Sequence, residues 1–286
     1  MVAGLTDEDG MLLSISRTIA LGAAAWLLTA APLLAQNDRP NLDVHYVPTP
    51  QEVVDRMLSM AKVTKDDFVI DLGSGDGRIV ITAAQKFGAR GMGVDLDPQR
   101  IQEANANKKK AGVEDKVEFR QANLFETDLS KATVLTMYLL PRLNIQLRPL
   151  LLELKPGTRL ASHAFDMGEW RPDRHDRIGG RDAYFWIVPA KVAGRWQVDD
   201  STAKFEIELI QEYQEIRGTA RMGETTTALR ETSLRGDEIR FVVELQSGER
   251  RAFRGRVAGN KIDALPPLSG EASAVPVPAW KASRGS

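Results

Sequence analysis

One aspartate and three glycines lie close together in a short segment whose residue types suit ligand binding. Asp71 ends a buried apolar run, and Gly73, Gly75 and Gly77 follow at alternate positions. A helix is predicted from Ile79 to Phe87. Glycine lets the backbone take positive φ and approach a ligand closely, and the first turn of a helix offers unpaired N–H groups and a positive dipole end. The segment therefore predicts a strand, a turn and a helix that hold the polar end of a small ligand.

The spacing of the glycines indicates which ligand this is. A dinucleotide-binding turn, G-x-G-x-x-G, would need glycine at position 78, where this chain has Arg78. Asp71 would also face a pyrophosphate unfavourably, whereas it suits an ammonium group. S-adenosylmethionine (SAM) carries an α-amino group and a sulfonium but no phosphate. The residues therefore favour SAM over NAD as the cofactor.

A second carboxylate is predicted to bind the ribose. Asp95 closes the predicted strand 91–95 and can accept hydrogen bonds from both ribose hydroxyls. The alternative role of a helix N-cap suits Asp97 better, because Pro98 follows it in the first turn of the next predicted helix. Leu96, beside Asp95, is expected to cover one face of the adenine.

The adenine edge is predicted to contact the end of a third strand, 116–121. Asn123 and Leu124 follow that strand, and the Asn123 carbonyl can accept a hydrogen bond from the adenine amino group. The predicted cofactor-binding set is therefore Asp71, Gly73, Gly75, Gly77, Asp95, Leu96, Asn123 and Leu124.

Strands and helices alternate along the first part of the chain. Strands are predicted at 132–138, 158–164 and 183–188, with a helix at 144–154. This alternation predicts an α/β fold with a doubly wound, mostly parallel sheet, which binds ligands beyond the carboxyl ends of its strands. All the residues named above fall at those ends, in a domain that we expect to span 46–190.

Three segments flank this alternating part of the chain: one helix before it, and a second domain and a tail after it. A helix is predicted to open with Thr49 as N-cap and Pro50 in its first turn, and to cap the cofactor pocket. Residues 191–264 alternate apolar and polar side chains between glycine-rich turns, which predicts a small antiparallel β-barrel or sandwich domain. The stretch 265–286 contains Pro and Ser and is expected to be a mobile tail.

Three motifs in this order resemble those of the class I SAM-dependent methyltransferases. A closer resemblance is to small protein-lysine methyltransferases related to the mitochondrial ATP-synthase c-subunit enzyme, and a more distant one to Dot1-type histone methyltransferases. It rests on Tyr46–Pro50 (YVPTP), on 70–80 (IDLGSGDGRIV) and on 170–173 (WRPD). Related enzymes often carry Asp at the position of Asn123. The sequence YLLP at 138–141 also departs from the acidic or NPPY motifs of many N-methyltransferases.

The resemblance implies transfer of a methyl group from SAM to a protein lysine amine. In-line transfer needs no covalent catalyst, but the amine must lose its proton, which a desolvated channel promotes. Tyr138 and Thr49 are the candidate catalytic residues, with His163 and Trp170 as candidate lining. Tyr138 is equally open to interpretation as an ordinary strand-end aromatic residue. Two alternative functions stay open: a small-molecule O- or N-methyltransferase, and an exported nucleoside-binding or envelope interaction protein without turnover.

Composition excludes several other classes of site and partner. The formal net charge is −1, with 38 basic and 39 acidic residues, so no nucleic-acid partner is expected. The run Lys108–Lys110 is interpreted as the solvated end of a helix. The chain has no cysteine and only 3 histidines, without metal-ligand spacing, so no metal site is predicted. The sequence does not indicate an oligomeric state.

The N-terminal residues have the pattern of an export signal. An apolar run from Ile19 to Ala35 follows Arg17 and ends before the polar residue Gln36. This pattern predicts a signal peptide within 1–35 that makes transient membrane contact and is cleaved after Ala35, so that the protein is periplasmic or secreted. An uncleaved membrane anchor, residues 11–35, is the alternative.

Overall fold

The computed structural model describes residues 46–200, 202–267 and 274–285. The predicted leader, residues 1–35, lies outside the described residues. Within the described ranges, no helix is long and apolar enough to cross a membrane.

A seven-stranded sheet forms the central layer of the first part of the fold, in the order β3-β2-β1-β4-β5-β7-β6. Neighbouring strands among β1 to β5 pair in parallel, while β7 runs antiparallel to both β5 and β6. This confirms the predicted doubly wound, mostly parallel sheet. Its strands are β1 (Phe68–Leu72), β2 (Arg90–Asp95), β3 (Val117–Gln121), β4 (Val134–Met137), β5 (Arg159–His163), β6 (Arg174–Ile178) and β7 (Arg181–Ile187).

Helices cover both faces of this sheet because successive strand residues point to opposite sides. Val69 and Val134 pack with α1 and α2 on one face, whereas Ile70 and Leu135 pack with α4 on the other. Helix α3 packs against α2 and β3. The four helices are α1 (Gln51–Met60), α2 (Arg78–Phe87), α3 (Pro98–Ala111) and α4 (Pro141–Leu151).

Three details of the first part differ from the predicted elements. Thr49 is not the N-cap of α1: Pro50 occupies that position without a side-chain cap, and the Thr49 hydroxyl hydrogen-bonds His163 instead. Helix α4 begins at Pro141, because proline is well suited to the first helical position, where its missing N–H costs nothing. Strand β6 was not predicted, since its sequence RHDRI is polar and mostly exposed and lacks the apolar alternation of a half-buried strand.

The second sheet is antiparallel and curls into a nearly closed barrel, which confirms the predicted second fold. Its main path runs β11-β10-β9-β8-β17-β15-β14-β13-β12, and β16 pairs with β14. The two ends of this path approach where the Thr232 hydroxyl, in β12, donates to the carbonyl of Ile216, in β10. The strands are β8 (Gly194–Asp199), β9 (Lys204–Glu212), β10 (Glu215–Met222), β11 (Thr225–Ala228), β12 (Arg230–Arg235), β13 (Glu238–Glu244), β14 (Arg250–Ala258), β15 (Lys261–Ala264), β16 (Val275–Pro276) and β17 (Lys281–Arg284).

The C-terminal segment differs from the mobile tail that the sequence predicts. Strand β17 lies between β8 and β15 and hydrogen-bonds both, so it is an interior strand of the barrel. The residue before it, Trp280, is 6% exposed and packs edge-to-face on Phe241 and Phe253, with ring centroids 5.6 and 5.4 Å away. The prediction was based on Pro and Ser content, which does not reveal the two strand pairings of β17 or the burial of Trp280 that hold this segment.

We expect Trp280→Ala to lower the free energy of unfolding by about 3–5 kcal/mol, the range for removing a buried tryptophan side chain. Urea denaturation monitored by circular dichroism measures it. The matched control is Val275→Ala, since Val275 is 56% exposed and its truncation should change stability by at most about 0.5 kcal/mol. Equal stability of Trp280→Ala and the parent would show that the C-terminal strand is dispensable to the barrel.

Candidate active site

A cavity of about 340 Å³ opens at the carboxyl ends of the parallel strands. This is where a doubly wound sheet binds its ligands, and the volume suits a nucleoside-sized molecule. Most of the residues predicted from the sequence line it: Thr49, Asp71, Gly73, Asp95, Leu96, Asn123, Leu124 and Tyr138. Gly75 and Gly77 do not line it.

The glycine turn is shaped as much by the protein's own side chains as by the cavity. Gly73, Gly75 and Gly77 all have positive φ, of 74°, 52° and 81°. A Cβ atom on Gly75 would overlap the ring of Tyr46, and one on Gly77 would overlap the ring of Phe119. Gly73 lines the cavity, and a Cβ atom there would lie 2.8 Å from the Leu139 side chain, whereas the other two glycines let aromatic side chains pack directly on the turn.

Asp95 is held in a fixed orientation at the end of β2. Its Oδ2 accepts a hydrogen bond from the N–H of Gly75, and its Oδ1 accepts one from the N–H of Asp97, both at 2.9 Å. Asp97 is itself the N-cap of α3, as predicted, because its side chain accepts from the N–H of Gln99. Each Asp95 oxygen keeps acceptor capacity on the cavity side, so the carboxylate can bind a pair of hydroxyls without reorientation.

Asp71 is a buried carboxyl group whose ionised form is unfavourable, and a cationic ligand would stabilise that form. It is 2% exposed and accepts a hydrogen bond of 2.7 Å from the Thr136 hydroxyl. Burial, with smaller effects of the carboxylates Asp95 and Asp76, raises the pKa of Asp71 to about 8. Ser74, also in the cavity wall, has a buried hydroxyl without a hydrogen-bond partner. A carboxyl group that lacks a cation, beside an unsatisfied hydroxyl, fits the amino-acid end of SAM.

The residues predicted to contact the adenine also line the cavity. Asn123 Oδ1 accepts from the N–H of Phe125 at 3.0 Å, and its amide donates to Glu126 at 3.1 Å. The Asn123 carbonyl therefore has one lone pair left for a ligand, and these two contacts fix its direction. Leu96 and Leu124 supply the apolar walls beside it.

The segment before α1, and not α1 itself, covers the cavity. The Tyr46 ring lies between the Gly75 turn and the Arg100 guanidinium, which is 4.6 Å from the ring centroid. Arg78 donates to the carbonyl of Thr49 at 2.9 Å and pairs with Asp76 at 2.6 Å. No pattern in the sequence indicates the role of Arg100, whereas Tyr46 belongs to the YVPTP motif.

The far end of the cavity, near the carboxyl ends of β4 and β5, is lined by aromatic side chains. The Tyr138 ring lies 3.9 Å from that of His163 and 6.3 Å from that of Phe165, measured between centroids. Thr49 Oγ1 and His163 Nδ1 are 3.1 Å apart. Burial, with a smaller effect of Arg181, lowers the pKa of His163 to about 4, so its ring is neutral at pH 7.

Three assignments at this end need correction or addition. His163 was predicted to line the cavity, but it lies behind Tyr138 and supports that ring. Trp170 does not line the cavity either, because its fully buried ring packs on Trp186 and Tyr213. Phe165 does line the cavity and was missed by the sequence analysis. A lone aromatic residue just after a strand is too common to mark a site.

Comparison with known proteins identifies the family. The family model of the ANTKMT methyltransferase domain matches residues 71–174. A protein-lysine N-methyltransferase of Saccharolobus islandicus (strain REY15A) is 53% identical over 131 residues, which are 45% of this chain and 81% of that relative. The chain belongs to this methyltransferase family. The enzyme is also 31% identical over 145 residues to the ATP synthase c-subunit lysine N-methyltransferase of Xenopus laevis, across 50% of this chain and 63% of that relative.

A solved structure of a similar protein contains a bound ligand. The crystal structure of an RNA methyltransferase from Salinibacter ruber in complex with S-adenosyl-L-homocysteine is 56% identical, with a TM-score of 0.50. It covers 51% of this chain and 96% of that chain. The enzyme is thus a SAM-dependent methyltransferase with SAM as its cofactor, and the resemblance drawn from its motifs is confirmed. The family model ends before the barrel begins at Gly194.

We expect the binding of SAM at pH 7 to release about one proton, because an Asp71 whose pKa is about 8 is mostly protonated and must ionise beside the ligand's ammonium group. Titration calorimetry in two buffers with different ionisation enthalpies measures the release. It should decline as the pH rises past that pKa, since the carboxyl group is then already ionised.

The matched control is Asp71→Asn, which keeps an acceptor for the Thr136 hydroxyl but cannot ionise. This variant should bind SAM more weakly and release no proton. Equal proton release by Asp71→Asn and the parent would mean that another group ionises.

Proposed function

We propose that this methyltransferase transfers the SAM methyl group to a lysine amine of a protein. The observation that carries the proposal is the aromatic far end of the cavity, where Tyr138 and Phe165 stack near-parallel at 6.3 Å with an interplanar angle of 25°. Aromatic walls suit the apolar stem of a lysine and attract its cationic head. The name of the Saccharolobus relative, a protein-lysine N-methyltransferase, supports the same acceptor.

The chain's residues prepare the acceptor and exclude water. SAM supplies a methyl group that its sulfonium already activates. Thr49 hydrogen-bonds His163, and the His163 ring packs on Tyr138, so the Tyr138 wall is held in place from behind. Because His163 is neutral at pH 7, it adds no positive charge that would repel the amine. Between these walls the lysine loses hydration, which lowers its pKa and favours the neutral nucleophile.

An RNA acceptor is the second candidate, because the Salinibacter neighbour is titled an RNA methyltransferase. RNA binding requires basic side chains beside the acceptor site. The basic run Lys108–Lys110 lies in the last turn of α3, and Lys108 donates to the carbonyl of Val117 at the start of β3. The amino end of β3 is at the edge of the sheet opposite the cavity. Arg78 and Arg100 do line the cavity, but they are paired with Asp76 and with Asp97 and Glu103. The placement of the lysine run and the pairing of these two arginines favour a protein acceptor over RNA.

The acceptor class is tested by incubating the full chain, radiolabelled SAM and an extract of the source cell. We expect label that resists ribonuclease, is lost on proteolysis and maps to methyl-lysine by tandem mass spectrometry. Label that ribonuclease removes would replace the lysine proposal with RNA, and label confined to small molecules would replace it with a small-molecule acceptor. Asp95→Ala is the control for enzyme-dependent label, since it removes both carboxylate oxygens that face the cavity.

We expect Tyr138→Ala to lower kcat by at least about tenfold, because the acceptor loses one wall and its alignment. The affinity for SAM should stay near that of the parent. Steady-state kinetics and calorimetry measure the two quantities. Tyr138→Phe separates the roles of the ring and the hydroxyl: retained activity indicates an apolar wall, and a loss like that of Ala indicates a hydrogen bond to the acceptor. Parental kcat in both variants would make Tyr138 a packing residue.

We also propose that the enzyme is exported, or anchored in a membrane, through residues 1–35. The proposal is supported by the apolar run from Ile19 to Ala35 after Arg17. An exported methyltransferase would work where SAM must be supplied from the cytosol.

The mature protein from the source cell is expected to begin at or near Gln36, because Ala35 ends the apolar run. N-terminal peptide mapping by mass spectrometry locates this end, and a variant with Ala35→Arg serves as the uncleaved control. Intact residues 11–35 on protein from the cytosolic fraction would contradict export.

A further inference from the structure

The loop after β5 carries one wall of the cavity and is held from the methyltransferase side. This acceptor loop, residues 164–170, contains the cavity-lining Phe165. The Asn144 side chain donates to the carbonyls of Phe165 and Asp166, both at 3.1 Å, and the Ser162 hydroxyl donates to that of Phe165 at 2.6 Å. These contacts hold the first half of the loop.

The second half of the acceptor loop is held by an arginine and a buried tryptophan. Arg148, on α4, donates to the carbonyl of Met167 at 2.9 Å. Trp170 ends the loop, and its fully buried ring lies 6.1 Å from that of Trp186. The position of this half therefore depends on where the Arg148 and Trp170 side chains are held.

A turn of the barrel contacts both the Arg148 and the Trp170 side chains. Tyr213, in the turn between β9 and β10, stacks on Trp170 with a centroid separation of 6.0 Å and an interplanar angle of 12°. The Arg148 guanidinium lies 5.5 Å from the centre of the same Tyr213 ring. The next residue, Gln214, donates to the carbonyl of Arg171 at 2.8 Å. One turn of the barrel thus contacts both groups that fix the second half of the acceptor loop.

The backbone of Tyr213 shows that this contact is made at a cost. Its φ is 53°, in the left-handed region that glycine prefers and bulky residues rarely adopt. A glycine would form the same turn without strain, so the turn geometry does not explain a tyrosine. The ring's contacts with Trp170 and Arg148 do.

We propose that the barrel positions the acceptor loop through Tyr213, which makes Tyr213 a positioning residue for the acceptor end of the active site. The assignment of that end to an acceptor rests on the proposed function. The competing role for Tyr213 is simple attachment of the barrel to the rest of the chain. Lys191 also joins the two parts, through an exposed ion pair with Glu153 that does not involve the acceptor loop, and so offers a matched control.

The first test measures hydrogen–deuterium exchange of the acceptor-loop amides in the full chain. Tyr213→Gly removes the ring and relaxes the positive φ, so the turn itself should still fold. We expect it to speed exchange across the second half of the acceptor loop, 167–170, by about tenfold, given the usual strength of one aromatic and one cation–π contact. Tyr213→Phe keeps the ring and should exchange like the parent, as should Lys191→Ala. Parental exchange in Tyr213→Gly, or equal acceleration in Lys191→Ala, would overturn the proposal.

The second test separates an effect on use of the acceptor from an effect on binding of SAM. Calorimetry should find the SAM affinity of Tyr213→Gly unchanged, because Asp71 and Asp95 lie on β1 and β2 and not on the acceptor loop. Its kcat/KM for the acceptor identified above should fall by about tenfold, in step with the loosened loop, and Tyr213→Phe should restore it. An equal loss of SAM affinity would mean general damage and overturn the positioning role. The exchange test needs no acceptor, so its result stands whether or not lysine methylation is found.

Discussion

Asp71 is the buried carboxyl group on which the cavity depends. It faces its strand partner Thr136 across the β1–β4 pair, and the hydroxyl of that residue is its hydrogen-bond donor. The charged groups that act on it, Asp95 and Asp76, are acidic and oppose its ionisation. Burial without a cation costs stability, and a fold tolerates that cost where a ligand offsets it. The strand end, the turn and the neighbouring Ser74 together form a site whose electrostatics suit an ammonium group.

Three parts of the chain that are distant in sequence build the walls around this carboxyl group. The parallel sheet supplies Asp71, Asp95 and the Asn123 edge. The segment before α1 lies over the glycine turn through Tyr46, and the acceptor loop closes the far end through Phe165. Only the first part follows from the alternation of strands and helices, while the other two depend on tertiary contacts.

The residues predicted from the sequence are therefore those whose role is local. A carboxylate at a strand end and glycines in the next turn have positions set by a few neighbouring residues, and Asp71, Gly73 and Asp95 lie in the cavity as expected. Thr49 lines it too, but its hydroxyl faces His163 across 114 positions of sequence, which no cap pattern predicts. Trp170 was predicted to line the cavity, but it packs toward the barrel, where Tyr213 stacks on it.

Because Tyr46 and Phe119 pack on the glycine turn, the presence of these glycines does not by itself indicate that a chain binds SAM. Neither Gly75 nor Gly77 could gain a side chain without displacing an aromatic ring of the same protein. A descendant of this chain that no longer used SAM would still be constrained to keep both glycines. In such chains the loss or retention of cofactor binding should be judged from Asp71 and Asp95, whose carboxylates line the cavity, and not from Gly75 and Gly77, which the packing of the fold itself requires.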